Sequence, residues 1–470
     1  MQQTWLLPFT MPDGFEFFGA WHFSGNSKNL LLSQEHGTII LLDNDLFREI
    51  KEKELSNDLK FKLIQRAFGG MENSRKVSSA SERISPKFFI IDLTTACVLR
   101  CVYCFRHLDN HTKSISRETL SDICDFIIDY CNKIGKKRID VQPWGGEPLL
   151  AFEHAKFIQD RLSEANLDAA VSIQTCGVLL TEALVQEAKR RRIKLGVSID
   201  GVPELHDFHR PLRSGGGSFE KMRAGLKVLH QNGYLNNHTT ITVISKQSLP
   251  FIEQIVQFFA DDLGLHQFKC NVIKKNPQMQ QAGLELSVKE VHEYVNRMMD
   301  ALILLHRQGS KTIEVNISTK ILNLLHRKCG NICTSRGCMG GRKMIAFDQD
   351  GLVFSCDTTD LKEEAFGSIY DGRSLMEMLE TAVENHPFFM VKDSMPCRTC
   401  PWHFYCRGGC TSAVRYLHGA YTGGIDEMEC AYNKAAYPRI VELLLNDPAM
   451  LQSLVQDELD FLNESETSES

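Results

Sequence analysis

Residues 88–104 read FFIIDLTTACVLRCVYC, an apolar run that is followed at once by three cysteines. Cys97, Cys101 and Cys104 have the spacing C-x3-C-x2-C. Three thiolates from one short loop can hold three irons of a cubane cluster. Because such a cluster is ordinarily held by four cysteines, the fourth iron would stay open for a ligand. The spacing leaves three alternatives open: a zinc site completed by a distant residue, a disulfide pair, and buried structural thiols.

The composition of the chain indicates that its cysteines bind metals rather than form disulfides. The 470 residues are enough for two or three domains, and 16 of them are cysteines. We expect no signal peptide, because residues 1–8 lack a basic start before a long apolar core. We also expect no membrane contact, because no apolar run approaches the length of a membrane span, so a cytoplasmic location is predicted. The net charge of −6 without a long basic tract argues against nucleic acid as a partner.

Residues 1–80 have the pattern of a small separate unit. Two apolar runs, at 29–32 and 38–42, flank a turn signal at 35–37 and predict a hairpin. Two short helices are predicted at 44–53 and 57–67. This order suits a winged-helix-like α+β domain, and the polar, Ser-rich stretch 71–86 then serves as a linker. The alternative is an N-terminal extension that packs on the next domain.

From residue 87 the chain alternates between β-rich apolar runs and amphipathic helical stretches. Such alternation indicates repeated β-α units around a parallel sheet, here a partial (β/α)6 barrel of the TIM-like kind. In such folds the chemistry lies at the carboxyl ends of the strands, which is where the three-cysteine loop begins. The predicted strands are 87–93, 138–144, 170–174, 193–199, 238–244 and 267–273, and the predicted helices are 117–134, 151–166, 181–192, 218–232, 248–263 and 287–308.

Polar residues follow several of these predicted strands. The second strand ends in Trp144-Gly145-Gly146-Glu147-Pro148, where the two glycines allow a close approach of the backbone to a ligand. Glu147 could pair with an ammonium group. The third strand ends in QTCG at 174–177, and the fourth ends in SIDG at 198–201, followed by His206, Asp207, His209 and Arg210. Taken singly, each of these could be an ordinary loop residue, and the two histidines could simply orient the loop.

The region after Cys329 is rich in cysteine. Eight thiolates suit two four-cysteine sites, and structural zinc is the alternative to iron–sulfur clusters. Gly351 is predicted to turn a hairpin between 344–347 and 352–354. One helix is predicted over 437–462, followed by an acidic, polar tail. The cysteines of this region after Cys329 are Cys333, Cys338, Cys356, Cys397, Cys400, Cys406, Cys410 and Cys430.

Together these motifs resemble those of the radical S-adenosylmethionine (radical SAM) enzymes. The Cys97–Cys104 spacing, with Tyr103 before the last cysteine, is similar to the superfamily signature. The run at 145–148 resembles its motif for the methionine amino group, and the cysteines from Cys338 to Cys430 resemble the SPASM extension in order and spacing. The resemblance implies a radical SAM partial barrel at 81–325, a SPASM auxiliary-cluster domain at 326–435, a leader-recognition domain at 1–80, and a C-terminal helix and tail at 436–470.

The resemblance also implies the chemistry. The methionine amine and carboxylate would chelate the open iron of the cluster held by Cys97, Cys101 and Cys104. One electron from that [4Fe-4S] cluster would cleave the sulfonium, and the 5′-deoxyadenosyl radical would abstract a hydrogen from substrate, so that the cofactor carries the hard chemistry. The residues implied to bind the cofactor are Tyr103 against the adenine, Gly145, Gly146, Glu147 and Pro148, then Gln174, Ser198, Asp200 and Arg210.

The same resemblance assigns the later cysteines to two auxiliary [4Fe-4S] clusters. The first would be held by Cys333, Cys338, Cys356 and Cys410, with Cys329 competing for the place of Cys333. The second would be held by Cys397, Cys400, Cys406 and Cys430. The clusters would accept an electron from a substrate radical or bind a substrate thiolate. Family members commonly carry Asn where Cys176 stands. Cys124, Cys131 and Cys270 are predicted to be ordinary buried thiols.

The resemblance predicts a maturase of ribosomally made peptides that forms a thioether or carbon–carbon crosslink. Its partners would be a precursor peptide, gripped by residues 1–80 through strand addition, and a flavodoxin- or ferredoxin-type electron donor. The first alternative is a sulfatase-maturing enzyme that makes formylglycine, in which Asp357, directly after Cys356, has the position of the proposed base. The second is a non-enzymatic, zinc-stabilised binding protein, which would leave the run at 145–148 and the β/α alternation unexplained.

Overall fold

The computed structural model describes residues 3–6, 9–10, 16–17, 20–33, 39–45, 48, 84–104, 106, 112–234, 240–274, 282–326, 333, 337–358, 362–389, 397 and 399–455. Among these residues no helix is both long enough and apolar enough to cross a membrane.

A four-stranded antiparallel sheet stands at the beginning of the chain, with the order β1-β4-β5-β6. β5 and β6 form the hairpin that the two apolar runs predicted, whereas β1 and β4 were not predicted. The predicted turn at 35–37, most of the helix at 44–53 and all of the helix at 57–67 lie outside the described residues, so the winged-helix domain stays a prediction. The strands are β1 (Gln3–Leu6), β2 (Phe9–Thr10), β3 (Glu16–Phe17), β4 (Ala20–Ser24), β5 (Lys28–Ser33) and β6 (Ile39–Asp43).

A ten-stranded sheet forms the centre of the molecule. Its order is β13-β12-β11-β10-β9-β8-β7-β14-β15-β16, and every neighbouring pair from β13 to β14 is parallel. The six predicted strands occur in their predicted places as β7 to β12, which confirms the α/β class. The strands are β7 (Phe88–Thr94), β8 (Arg138–Gly145), β9 (Asp168–Thr175), β10 (Lys194–Ser198), β11 (Thr240–Ile244), β12 (Gln267–Val272), β13 (Ile313–Glu314), β14 (Met344–Phe347), β15 (Leu352–Phe354) and β16 (Gly367–Ser368).

Helices connect these strands and cover the sheet. Several begin at a side chain that satisfies the first backbone N–H groups, as Ser116 does by accepting from Thr119 N at 2.9 Å. The helices are α1 (Arg117–Ile134), α2 (Phe152–Glu164), α3 (Glu182–Arg190), α4 (Pro203–His209), α5 (Phe219–Gln231), α6 (Ile252–Gln257), α7 (Val288–Arg307), α8 (Val315–His326), α9 (Leu375–Asn385), α10 (His403–Cys406), α11 (Thr411–His418), α12 (Glu427–Asn446) and α13 (Pro448–Ser453).

Two helical predictions need correction, and one short helix before them in the chain was not predicted. The predicted helix at 248–263 is a 3-10 turn over Lys246–Phe251, then α6, then a π turn over Phe258–Asp262. Pro250 within the first part lacks the N–H that a regular helix uses. The short helix α4 was not predicted, although Pro203 at its first turn is a start signal.

The single helix predicted over 437–462 is wrong. Helix α12 begins earlier, at Glu427, because the carboxylate of Asp426 accepts hydrogen bonds from the backbone N–H groups of Met428 and Glu429. It ends at Asn446, and the separate helix α13 begins after Asp447, whose side chain accepts from Met450 N at 3.2 Å, with Pro448 in the first turn.

The cysteine-rich region continues the central sheet. Strand β14 pairs in parallel with β7, so that Met344 lies opposite Phe88 and Phe347 opposite Ile91. Strand β15 returns antiparallel through the turn at Gly351, as predicted from the hairpin signal. One sheet therefore spans the boundary predicted near residue 326.

The N-terminal sheet is anchored to the C-terminal part of the chain. The ring of Phe23, on β4, stacks on Trp402 with centroids 5.4 Å apart, and Trp402 stacks on Tyr437 at 5.1 Å. Asn26 N donates to the side-chain oxygen of Asn446 at 3.1 Å. Phe23, Trp402 and Tyr437 are all buried, so apolar burial holds the sheet in place.

Candidate active site

The three-cysteine loop starts where β7 ends and opens into a cavity of about 460 Å³. Thr94 holds the start of the loop, because its hydroxyl accepts from Ala96 N at 3.1 Å. Within the loop, Leu99 N donates to the Sγ of Cys97 at 3.4 Å. Cys97, Cys101 and Cys104 all line the cavity. The structure thus brings together the three thiols that the spacing singled out.

Burial disfavours the charged form of two of these thiols. Burial raises the pKa of Cys97 to about 11 and that of Cys101 to about 12. A thiolate in such a place needs a strong cation beside it, and iron supplies one, since a coordinating thiol is deprotonated outright. The donor set therefore fits three irons of a cubane cluster.

Gly145 and Gly146 bring the end of β8 against this loop. A Cβ on Gly145 would lie closer than 3.0 Å to the carbonyl oxygen of Thr94, and one on Gly146 would lie equally close to that of Ala96. The backbone N–H groups of Gly146 and Glu147 donate to those two carbonyls at 2.7 and 2.8 Å. The glycines are therefore required by contact between two backbones, and they fix the loop against the second strand end.

Glu147 is buried, and its carboxylate accepts hydrogen bonds from other residues of the protein. Oε1 accepts from Leu149 N at 3.0 Å and from the Thr175 hydroxyl at 2.7 Å, while Oε2 accepts from Cys176 N at 2.8 Å. These bonds join the ends of β8 and β9. Glu147 and Pro148 both line the cavity, so the carboxylate also presents its charge to a ligand there.

Asp200 lies behind the opposite wall of the cavity and holds residues of that wall in place. Its Oδ2 accepts from Arg210 Nε at 2.9 Å and from the Tyr103 hydroxyl at 2.5 Å, and its Oδ1 accepts from Val243 N at 3.0 Å. Burial disfavours the charged form, but Arg210 and then His209 outweigh it and hold the pKa of Asp200 below its usual range. Tyr103 and Arg210 line the cavity, whereas Asp200 is fully buried outside the lining.

The two histidines that follow Asp200 are structural supports of this wall. His206 accepts from Asp200 N through Nδ1 at 3.2 Å, and its Nε2 lies 3.1 Å from the Ser218 hydroxyl. His209 Nε2 lies 2.8 Å from the Ser245 hydroxyl, and its ring meets Tyr103 edge to face at 5.5 Å. The interpretation that they orient the loop fits this geometry.

Gln174 and Ser198 lie side by side at the ends of β9 and β10. The Gln174 amide donates to the Ser198 hydroxyl at 3.2 Å, and both line the cavity. Cys176 also lines it, and burial raises the pKa of its thiol. Cys124, Cys131 and Cys270 are buried in helices and strands, as expected.

The later cysteines form two groups. Burial raises the pKa of Cys338 to about 12, with smaller increments from the neighbouring thiolates of Cys410, Cys356 and Cys333. The charges of Cys400 and Cys397 raise the pKa of Cys430, and the charge of Cys430 raises that of Cys406. These interactions pair cysteines within each of the two sets that the resemblance implies, and the assignment of the sets to two clusters stays a prediction. Cys329 lies outside the described residues.

The first of these groups shares the cavity with the three-cysteine loop. Cys333 and Cys410 line the cavity, together with Asp357 and Thr358, which follow Cys356. The Sγ of Cys356 lies 3.1 Å from the Thr358 hydroxyl and 3.7 Å from that of Ser412. A molecule in the cavity would therefore touch both cysteine sites.

Three lysines line this cavity, Lys269, Lys274 and Lys320, and the sequence reasoning missed all of them. Lys274, just past the end of β12, donates from Nζ to the Sγ of Cys410 at 2.8 Å. Lys320, on α8, is buried and donates to Glu429 at 2.9 Å and to Asn433 at 2.7 Å. The rule that placed the other residues at strand ends would also have found Lys274, but helix α8 gave no signal for Lys320.

Among the described residues, no group of three or more His, Cys, Asp or Glu side chains is arranged around a single ion position.

Comparison with known proteins gives the same superfamily. Residues 91–259 match the family model described as Radical SAM superfamily. The cysteine-type anaerobic sulfatase-maturating enzyme of Clostridium novyi is 26% identical over 326 residues, which are 67% of this chain and 84% of that one. The serine-type enzyme of Bacteroides thetaiotaomicron is also 26% identical, over 338 residues, 67% of this chain and 80% of that one.

Solved structures share the fold. The native anSMEcpe structure with bound AdoMet and the Cp18Cys peptide has a TM-score of 0.65 at 20% identity, and the match covers 76% of this chain and 99% of that one. Streptococcus suis SuiB bound to its precursor peptide SuiA has a TM-score of 0.52 at 13% identity, with coverage of 85% and 96%. Residues 91–259 are thus similar to radical SAM domains, and two thirds of the chain is similar to anaerobic sulfatase-maturating enzymes.

Proposed function

We propose that this radical SAM protein is a peptide maturase that oxidatively crosslinks a ribosomally made precursor through a thioether or carbon–carbon bond. The observation that carries the proposal is the shared cavity. Cys97, Cys101 and Cys104 line one part of it, and Cys333, Cys410 and Asp357 line another. A peptide side chain in this cavity would lie within reach of both cysteine sites.

The cofactors that suit these residues are S-adenosylmethionine and three [4Fe-4S] clusters. The cluster at Cys97, Cys101 and Cys104 would supply the electron that cleaves the cofactor to a 5′-deoxyadenosyl radical. The two auxiliary clusters would be held by the groups that contain Cys338 and Cys430.

The chain's own residues would bind and orient the cofactor. Gly145 and Gly146 line the cavity and hold the three-cysteine loop against the end of β8, while Glu147 would present a negative charge suited to an ammonium group. Gln174 and Ser198 offer an amide and a hydroxyl at the neighbouring strand ends. Arg210, held by Asp200, suits a carboxylate, and Tyr103 offers a ring face to the adenine.

The substrate radical must lose one electron and one proton to become a closed-shell product. Asp357 lines the cavity beside Cys356, and we propose that its carboxylate takes this proton. The electron would pass to the auxiliary site next to it. Hydrogen abstraction and oxidation would then occur in one enclosed space without release of the radical.

The N-terminal sheet, β1-β4-β5-β6, would bind the leader segment of the precursor peptide. Sheet edges bind extended peptides by adding them as a further strand. The packing of Phe23 on Trp402 places this sheet against the cysteine-rich region, so a bound leader would be tethered near the cavity.

A sulfatase-maturing activity is the second candidate. Two observations favour it: the sequence relatives in Clostridium novyi and Bacteroides thetaiotaomicron are named as such enzymes, and Asp357 occupies the cavity wall after Cys356. The sheet formed by residues 3–43 is the feature that this candidate does not use.

The test is anaerobic reconstitution of the full chain, followed by incubation with S-adenosylmethionine, reductant and two peptides. One peptide is the precursor encoded beside the gene, and the other carries a sulfatase-type cysteine or serine. The proposal expects about twelve irons per chain and loss of two hydrogens from the precursor by mass spectrometry. Formylglycine in the second peptide alone would favour the second candidate. A colourless zinc protein would contradict both.

Asp357→Asn provides the matched variant for this test. It keeps the size of the side chain but cannot take the proton, so cofactor cleavage should continue while product formation falls by about 100-fold or more. Equal product formation in Asp357→Asn and wild type would remove Asp357 from the mechanism.

A further inference from the structure

Lys274 makes the most unusual contact in the cavity. It follows β12 of the central sheet, yet its ammonium donates to the thiol sulfur of Cys410, 136 positions later, at 2.8 Å. Cys410 belongs to the group formed with Cys333, Cys338 and Cys356. The contact therefore joins the radical SAM barrel directly to one ligand of the first auxiliary site.

The surroundings keep this pair in place. The backbone N–H of Cys410 donates to Asp426 Oδ2 at 3.2 Å, and the other oxygen of Asp426 caps helix α12. Cys410 is thus fixed through its backbone, and Lys274 lies along the same cavity wall as Asp426.

We propose that Lys274 is a positioning residue that raises the reduction potential of the cluster held by Cys333, Cys338, Cys356 and Cys410. The inference rests on the proposed function, because it requires that cluster. Reduction potentials of iron–sulfur clusters depend on hydrogen bonds to the sulfurs and on nearby charge. An ammonium that donates to a ligand sulfur stabilises the more negative, reduced form.

This effect has a direct use in the proposed reaction. The substrate radical gives up one electron, and the oxidised first auxiliary cluster takes up that electron while Asp357 takes the proton. A higher potential of this cluster makes the transfer more favourable. Lys274 would thereby favour oxidation of the substrate radical over its conversion back to the starting peptide.

The experiment measures the potential itself in the full chain. Cys97, Cys101 and Cys104 are all replaced by Ala, so that only the auxiliary clusters contribute to the electron paramagnetic resonance spectrum. The signal that disappears when Cys338→Ala is added belongs to the first auxiliary cluster. Its potential is then titrated in this background and in the same background with Lys274→Met, Lys274→Arg or Lys434→Met.

The proposal expects Lys274→Met to lower the potential of the first cluster and Lys274→Arg to restore most of the difference. Lys434→Met is the matched control, because the charge of Lys434 acts on Cys400 and Cys430 of the other group. It should leave the first cluster unchanged. With Cys97, Cys101 and Cys104 intact, Lys274→Met should raise the ratio of 5′-deoxyadenosine to crosslinked peptide.

Two results would overturn the inference. One is an unchanged potential in Lys274→Met, including the case in which only the KM for the peptide rises, as expected if Lys274 binds substrate instead. The other is an equal shift in Lys434→Met. Failure of the proposed function looks different: the precursor peptide would then lose no hydrogens in the wild-type enzyme, and absence of the auxiliary clusters would appear as a starting variant without their signals.

Discussion

Arg210 and Asp200 form a buried ion pair, with Nε and Oδ2 2.9 Å apart and each side chain at most 9% exposed. Asp200 contacts no part of the cavity itself, but it holds two residues that do, Arg210 and Tyr103. Removal of one partner from a buried pair leaves the other charge uncompensated. The pair is therefore a support of the cofactor wall.

We expect Asp200→Ala to destabilise the protein by about 3 kcal/mol or more and to weaken binding of S-adenosylmethionine. Thermal unfolding under anaerobic conditions and equilibrium dialysis measure the two effects. Asp129→Ala is the control, since Asp129 forms an exposed pair with Lys133 on α1 that is worth at most a few tenths of a kcal/mol. Equal effects of the two substitutions would show that the Asp200 pair does not support the site.

We expect Gly146→Ala to remove the iron of the radical SAM site. The new methyl group would overlap the carbonyl of Ala96 and displace the loop that carries Cys97. Iron content should fall by about four per chain, and cofactor cleavage should be lost. Gly135→Ala is a fair control, because a Cβ there meets nothing within 4 Å. It should cost about 1 kcal/mol at the end of α1 and keep the iron.

The pH dependence of stability should carry a contribution from His206. Burial lowers the pKa of His206 to about 4, and the charges that face it are those of Asp200, Arg210, Asp207 and His209. Its Nδ1 accepts a backbone N–H from Asp200, so the folded protein needs the neutral ring. The unfolded chain binds the proton more readily, near the ordinary pKa of about 6.5.

The stability that His206 contributes is therefore complete above about pH 6.5 and declines toward pH 4, by up to about 1.4 kcal/mol per pH unit. His206→Asn should flatten this part of the profile of melting temperature against pH. The exposed His266→Asn should leave the profile as it is. A His206→Asn profile parallel to wild type would contradict the assignment.

Two cysteine substitutions should separate radical formation from oxidation of the substrate. Cys101→Ala should abolish cofactor cleavage, whereas Cys400→Ala should leave some cleavage but stop peptide modification. Cys124→Ala is the control, because that thiol is buried in α1 away from the cavity. Chromatography of 5′-deoxyadenosine and mass spectrometry of the peptide give both readouts. Wild-type activity in both ligand variants would remove the mechanism.

The anchorage of the N-terminal sheet depends on Phe23. Phe23→Ala removes a buried ring from the stack with Trp402 and should cost about 3 kcal/mol or more. Backbone amides of β4 and β5 should then exchange hydrogen faster, and leader affinity should fall while uncoupled cofactor cleavage remains. The exposed Leu304→Ala should change none of these. Unaltered exchange in Phe23→Ala would show that the stack does not hold the sheet.

The central fold could be predicted from sequence because its signals are local. The apolar runs that became β7 to β12 are each bounded by turn residues, and the C-x3-C-x2-C spacing lies within one loop. The part that was missed depends on contacts distant in sequence. Lys274 meets Cys410 across 136 positions, and the early start of α12 follows from the cap at Asp426, whose carboxylate also accepts from Cys410 N. The position of Asp200 behind the cavity wall could not be predicted from the sequence, because it depends on how the strands and helices pack.

The parallel pairing of β14 with β7 has a consequence for engineering. The spacing between the two cysteine regions is set by backbone register, residue by residue from Met344 opposite Phe88, and not by the length of the chain that connects them. A chimaera that exchanges everything after residue 326 must therefore reproduce an interior strand of its host's sheet. The cysteine-rich region after residue 326 therefore cannot be transferred to any host without regard to the sheet, and donors for such exchanges should be chosen by the sequence of β14.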